Sequence, residues 1–429
     1  MRTRLYLIQR LGLCLLLTLL TGCSFVGGTP TNSQIPPAKK NQVAVLAVSS
    51  STIDTVAEQV LQNMQLHSWN PDARTHNKVT GGLFINWKMD NPKVTNTVRP
   101  NADGNPQHNH DPQVDLLYLI SLAQYRQLHP NDHKYDTDVG HTTLLVLTDF
   151  RDYNIPKGWP YFYLLRAGTL LNNTQLINEA HTAASNFYTN WYDPQLKTIY
   201  TRGHKPGDYS VDHTFQSAAA LIDAGMRWHV PAWVTAGQNT LAHLIDVTLD
   251  PKYHQFYNSM LVSSTGKDTV QNYQAKPSTQ GEAVQALLIA YNLTHDQRYL
   301  TVSTQVLEAL FGSTGLWDTN RGGFYFALDM AQGKLVKDYK ETRSQTLVLI
   351  AVNHFNQLSN HQLVQQEVDL IHVLTDHFYQ HTYMGFFYRV APDFKIYVSL
   401  PHDGFGYEDF FTTEAMGSAL DSLQQTEIN

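Results

Sequence analysis

Five carboxylates stand at or just before the start of apolar stretches: Asp111, Asp212, Glu282, Glu341 and Asp409. Two carboxyl groups can divide acid–base work when burial keeps one protonated and a neighbouring Lys or Arg keeps the other ionised. From this pool Glu282 with Asp212 is the pair selected, without assigning which is the acid. Glu282 sits in the first turn of an otherwise apolar helix pattern, where a carboxylate is costly unless it faces a cleft or is paired; a partner for the helix dipole is the other reading. Asp212 either takes part in chemistry or caps its helix. His213 has a side chain that titrates near neutrality, so it serves as a general base or as an uncharged core histidine.

Other polar residues cluster at similar positions. His108, His110, Asp111 and Asp115 include metal-binding types, but the preferred reading is a solvated loop closed by Asp111 as N-cap before Pro112, so no metal is expected. Gln280 and Arg343 are expected to contact substrate. Arg343 holds a hydroxyl or a carboxylate of a ligand, or else forms a local ion pair with Lys340 and Glu341. His402, Asp403, Tyr407, Glu408 and Asp409 crowd eight residues between tight-turn glycines, and His402 and Tyr407 join the binding set. Trp159 and Tyr209, with Trp87, are candidate stacking rings. No nucleotide loop, zinc spacing or Ser-His-Asp pattern stands out, and no cofactor is expected.

These residues are positioned by a repeat. Residues 113–128, 159–172, 213–226, 278–294, 341–358 and 407–424 are six apolar segments with helical periodicity, the inner helices of the reading. Each is preceded by an outer helix, the first near residues 53–67. Five outer helices end alike, in an aromatic or Asp-Pro stop followed by a short strand opened by glycine or closed by aromatics. These are Trp69 to Gly82, Trp191 to Tyr200, Leu249 to Tyr257, Trp317 to Phe326 and Phe378 to Tyr388. The unit around Asp149 to Trp159 lacks the strand. Trp69, Trp191 and Trp317 recur at one repeat position and are assigned to structure. Six such hairpins close into an all-α (α/α)6 toroid with short β-hairpin-like insertions on one face, preferred over an open solenoid because the connections are long on one side and short on the other. The long connections all enter the N-terminal ends of the inner helices, so their polar residues converge on one mouth, where unpaired N–H groups add positive potential.

Gln280-Gly281-Glu282-Ala283, with Ala286-Leu287-Leu288 and Tyr291-Asn292-Leu293-Thr294, is similar to a stretch of the N-acylglucosamine 2-epimerase family. Gly322-Gly323-Phe324-Tyr325 with Leu328-Asp329 is similar to that family's hairpin, and Asp212-His213-Thr214-Phe215-Gln216 more distantly resembles another of its motifs. The chain thus resembles the six-hairpin glycosidase and epimerase superfamily. The resemblance implies a carbohydrate partner. It implies either a glycoside hydrolase working through carboxylates, an epimerase in which His213 and His402 trade a proton beside a carbonyl, or a non-catalytic sugar binder. Mannanases of this fold use an Asp-Asp pair, which the sequence lacks; Glu408-Asp409 is the nearest equivalent.

The amino-terminal residues carry Arg2, Arg4 and Arg10, followed by an apolar run from Leu11 to Leu20. Leu20-Thr21-Gly22-Cys23 resembles the lipobox of bacterial lipoproteins. That implies a signal peptide over 1–22, cleavage before Cys23 and a membrane-anchoring lipid on its sulfur. Residues 23–50, rich in Gly, Pro, Ser and Lys, read as a flexible tether, and 51–429 as the toroid. The formal charge of −7 and the scattered basic residues argue against nucleic acid.

Overall fold

Pro residues open α2 (Pro112–Leu128), α7 (Pro231–Thr248) and α8 (Pro277–Thr294), where the missing N–H costs nothing. The Asn173 side-chain oxygen Oδ1 caps α5 (Thr174–Asn186), accepting from the Gln175 and Leu176 amides at 3.0 and 3.2 Å. Asp296 caps α9 (Gln297–Phe311), accepting from the Arg298 amide at 3.0 Å. At the expected Thr294-His295-Asp296 turn, His295 ends α8 in a left-handed conformation, φ 58°. These local signals produce twelve α-helices among the described residues, completed by α1 (Ser50–His67), α3 (Asp136–Asp149), α4 (Trp159–Leu170), α6 (Val211–Arg227), α10 (Thr342–Leu358), α11 (Val364–His372) and α12 (Thr413–Ile428). One π-helical turn extends α5 over Phe187–Trp191 and another extends α11 over Val373–Phe378.

The computed structural model describes residues 50–75, 78–93, 111–199, 208–262, 267–360, 362–397 and 410–428, all within one unit, Val45–Asn429. Cys23, His402, Tyr407 and Asp409, like His108 and His110, lie outside the described residues. No helix among the described residues is long and apolar enough to cross a membrane.

The even-numbered helices pack as a closed inner ring: α2 on α4, α4 on α6, α6 on α8, α8 on α10, α10 on α12, and α12 back on α2. Each inner helix also packs on the outer helix that follows it, and α12 packs on α1. The expected (α/α)6 toroid is therefore present. Inner helices join their outer partners through short turns, whereas most outer helices reach the next inner helix through long strand-bearing segments. The insertions fall where the glycine and aromatic pattern placed them. Trp69–Asn70 pairs with Gly82–Leu83, Tyr192–Asp193 with Thr198–Ile199, and Tyr379–Gln380 with Gly385–Phe386. Single antiparallel bridges join Leu249 to Phe256 and Trp317 to Phe324. The segment between α3 and α4 has no strand. The sixth inner helix is corrected: it begins at Thr413, because Phe410–Thr412 is a strand paired with Asn86–Lys88.

A polar residue at the fourth position of three inner helices ties each to its insertion. Gln280 Oε1 accepts from the Phe256 amide at 2.7 Å and its Nε2 donates to the Phe256 carbonyl at 2.9 Å. Gln345 does the same to Phe324, at 2.8 and 3.2 Å. Asp115 Oδ1 accepts from the Leu83 amide at 3.0 Å. All three side chains are buried, where an unpaired strand amide would be expensive.

Candidate active site

Inside the inner ring lies an elongated cavity of about 490 Å³. Its wall follows single helix faces. On α8 it takes Glu282, Gln285, Ala286, Ile289, Asn292 and Leu293, and on α10 Arg343, Leu347, Ile350, His354 and Gln357. Spacings of three and four keep each set on one side of its helix. Eleven residues of rise make the α8 stripe roughly 16 Å long. The cavity therefore runs along the ring axis from the mouth where the long segments enter.

Glu282 stands at that mouth, 3% exposed. Its Oε1 accepts from Arg343 Nη2 at 2.9 Å. Close approach of α8 and α10 makes this possible: a Cβ at Gly281 would lie 2.7 Å from the Leu347 carbonyl carbon. Burial lifts the Glu282 carboxyl to about 8, the Arg343 charge opposes the rise, and the adjacent Asp212 carboxylate adds to it. Glu282 Oε2 has no partner among donors. Asp212 stands close enough to favour the protonated form of Glu282 by charge and hydrogen bonding.

Asp212 is buried at the start of α6. Its Oδ1 accepts from the Ser210 hydroxyl and from the His213 amide, the latter at 2.7 Å. Burial pushes this carboxyl up, but His213, Arg343 and the two hydrogen bonds together outweigh it and bring it down to about 2. Near neutrality the pair is thus an acid beside an anion. The His213 ring, with Nδ1 4.0 Å from Asp212 Oδ1, is pushed down by burial, against the Asp212 charge, which pushes it up. Burial lowers Arg343, but Glu282, Glu414 and Asp212 outweigh it and hold the guanidinium cationic.

Trp159 lines the cavity at the first position of α4, its ring 5.7 Å from that of Tyr163. It reaches this place because α4 approaches α6 closely: a Cβ at Gly158 would lie 2.1 Å from the Gln216 carbonyl carbon. The structure thus brings Glu282, Arg343 and Trp159 into the cavity wall, with Asp212 and His213 beside Glu282 but outside that lining.

Other expected site residues stand elsewhere. Gln280 is wholly occupied by the Phe256 backbone and is a clamp, not a substrate contact. Tyr209 is 1% exposed and donates its hydroxyl to Asp268 Oδ1 at 3.2 Å, so its ring offers no stacking face; Trp87 is likewise buried. Asp111 caps α2, accepting from the Gln113 amide at 3.1 Å, and does not line the cavity, though Gln113 does. The expected local cluster at 340–343 is dispersed. Lys340 pairs with Asp318 at 2.9 Å, Glu341 with Arg389 at 3.4 Å, and Arg343 with Glu282 on another helix.

Among the cavity residues that the sequence reading did not single out are Tyr163, Arg166 and Asp421; Gln216, named there only within a motif, also lines the wall. Asp421 is fully buried on α12 and accepts from Arg166 on α4, and from Gln124 and Gln425, each at 3.0 Å. Burial, and next the Asp421 charge, push the Tyr163 hydroxyl far up. Arg166, the one charged residue of α4, was the available signal; Asp421 shares α12 with Glu414 and Glu427. No group of His, Cys, Asp or Glu among the described residues is arranged to hold a metal ion.

No known protein family and no curated protein matches the chain by sequence. Solved structures do match. An unsaturated glucuronyl hydrolase specific for heparin aligns at TM-score 0.65 and 12% identity over 89% of this chain and 98% of its own. An inactive variant of an α-1,6-mannanase from Salegentibacter sp., in complex with α-1,6-mannotriose, aligns at 0.61 and 10% over 88% and 99%. A D-mannose isomerase aligns at 0.61 and 13% over 88% and 98%. The fold of the chain is the six-hairpin (α/α)6 toroid that these hydrolases and this isomerase share.

Proposed function

We propose that the protein is an extracytoplasmic glycoside hydrolase acting on oligo- or polysaccharide, with Glu282 as general acid and Asp212 as its ionised partner. The observation that carries the reading is a buried carboxyl held protonated near neutrality, beside a carboxylate held ionised, at the mouth of an aromatic-bearing cavity. Hydrolysis needs this division of roles. Glu282 gives its proton to the glycosidic oxygen as the bond to the anomeric carbon breaks. The Asp212 carboxylate keeps Glu282 protonated beforehand and stabilises the positive charge developing on the sugar ring. Glu282, ionised by that transfer, takes the proton of the water that attacks the anomeric carbon, which restores the pair. Trp159 supplies a flat apolar face for a sugar ring.

A second reading rests on His213, an imidazole pushed down by burial and 4.0 Å from Asp212. Such a base suits proton abstraction beside a carbonyl, as in a sugar epimerase. A non-catalytic sugar binder is the third. Incubating the purified protein with oligosaccharides and free sugars in heavy water, followed by NMR, separates them. New reducing ends support hydrolysis. Deuterium at C2 without cleavage overturns it in favour of the epimerase, and ligand shifts alone leave the binder.

The extracytoplasmic placement rests on the charged and apolar residues before Cys23 and on the lipobox resemblance. Growth with a labelled fatty acid tests it: label on the parent and none on Cys23→Ala supports the anchor, and an unlabelled parent overturns it.

A further inference from the structure

We infer that the cavity interior, inward of Glu282, is a subsite for a neutral, hydroxyl-bearing sugar unit, with Asp421 and Arg166 as its recognition pair, and that it rejects uronates. The inference rests on the carbohydrate reading above but not on turnover. Asp421 is fully buried, lines the cavity beside the Tyr163 hydroxyl, and has one oxygen, Oδ2, without a partner at full hydrogen-bond geometry. Arg166, its ion-pair partner on α4, has a buried Nε with none. Gln216, 7% exposed and also lining the cavity, has an unpartnered Oε1. Buried polar atoms left unsatisfied are costly, and a ligand that pairs with them recovers that cost. Two of these atoms accept and one donates. A sugar hydroxyl does both, so one hydroxyl can donate to Asp421 while a neighbouring oxygen accepts from Arg166. Phe162, Leu165, Ile289 and Ile350 supply the apolar remainder of the wall, matching the C–H faces of a pyranose.

Charge sets the sugar class. The Arg166 cation is already balanced by Asp421. Two other cations line the cavity: Arg343, which faces Glu282, Glu414 and Asp212, and Arg227, which pairs with Asp223 at 3.5 Å. Each of the three guanidiniums thus faces a carboxylate of the protein. A uronate carboxylate, which only accepts, would meet the Asp421 oxygen as a like charge.

The test is calorimetric binding to the full-length protein of matched disaccharide pairs, each a neutral sugar and its uronate counterpart of the same linkage. The expected result is at least one neutral member binding about tenfold or more tightly than its uronate. Asp421→Asn is expected to weaken the neutral ligand about tenfold and to narrow the gap to the uronate. Arg166→Lys, which keeps the charge and removes the Nε donor, gives a several-fold loss and covers the case in which Asp421→Asn fails to fold. Uronates binding as tightly as their neutral partners, no binding of either at millimolar concentration, or unchanged neutral-sugar affinity in both variants overturns the inference. Neutral-sugar binding without cleavage removes the hydrolase reading and leaves this one intact. Cleavage of uronides with tight uronate binding does the reverse.

Discussion

Arg343 Nη2 lies 2.9 Å from Glu282 Oε1, joining α10 to α8 at the mouth of the axial cavity. The bond does not make Glu282 an ordinary ion-pair carboxylate. Burial and the Asp212 charge outweigh the cation, and Glu282 keeps its proton to about pH 8. One guanidinium thus holds the acid in place while Asp212, its ionised neighbour, keeps it an acid.

That arrangement sets the pH profile of activity. A general acid must be protonated, so kcat/KM is expected to hold through neutrality and to fall as pH rises through about 8. The loss of Asp212 charge near 2 lies below the working range. Initial rates across pH on a cleaved oligosaccharide check this. A profile already falling between pH 5 and 6 would remove Glu282 from the acid role.

Glu282→Gln keeps the shape and the acceptor for Arg343 but removes the proton. Turnover is expected to drop about 10²-fold or more while the KM or Kd for substrate stays within a few fold. Steady-state kinetics and calorimetry on one preparation read both. Full activity in the variant refutes the assignment.

The same groups shape stability. The folded-state carboxyl of Glu282 is raised above its ordinary 4.5, so its contribution is complete below 4.5 and is lost as pH rises through about 8. Asp212 is depressed, so its contribution is present above 3.8 and is lost as pH falls through about 2. The decline in Tm from pH 5 to 9 is expected to be shallower in Glu282→Gln than in the parent. Parallel curves in thermal melts would show that Glu282 titrates normally.

Gln280→Ala strands two buried backbone groups of Phe256, and Gln345→Ala strands the equivalent groups of Phe324. Each is expected to cost about 1–3 kcal/mol, measured by denaturant unfolding. Folded Gln280→Ala is expected to keep its substrate affinity; a selective affinity loss at unchanged stability would return Gln280 to the binding site.

Gly281→Ala forces α8 from α10, since the new Cβ would meet Leu347 backbone at 2.7 Å. A destabilisation of about 1–3 kcal/mol is expected, with a fall in kcat as Glu282 and Arg343 move apart. Stability loss with undiminished kcat would show that the pair tolerates the shift.

The sequence by itself determined the helices, their pairing into six hairpins and the place of each insertion. These features depend on local periodicity, on proline and Asn or Asp at helix starts, and on glycine and aromatic stops, all of which act within a few residues. It also singled out Glu282, because a carboxylate in an apolar first turn is anomalous whatever surrounds it. The tertiary structure decided which polar residues meet. Gln280 and Glu282 are two residues apart on one helix, yet one faces the Phe256 backbone and the other the ring axis. Tyr209 looked as available as Trp159 until packing buried it. Arg166 and Asp421 are 255 positions apart and become partners only when α12 closes the ring on α2. Helix pattern is a short-range property of the chain, whereas the facing of side chains across a cavity depends on how twelve helices pack, which no local signal encodes.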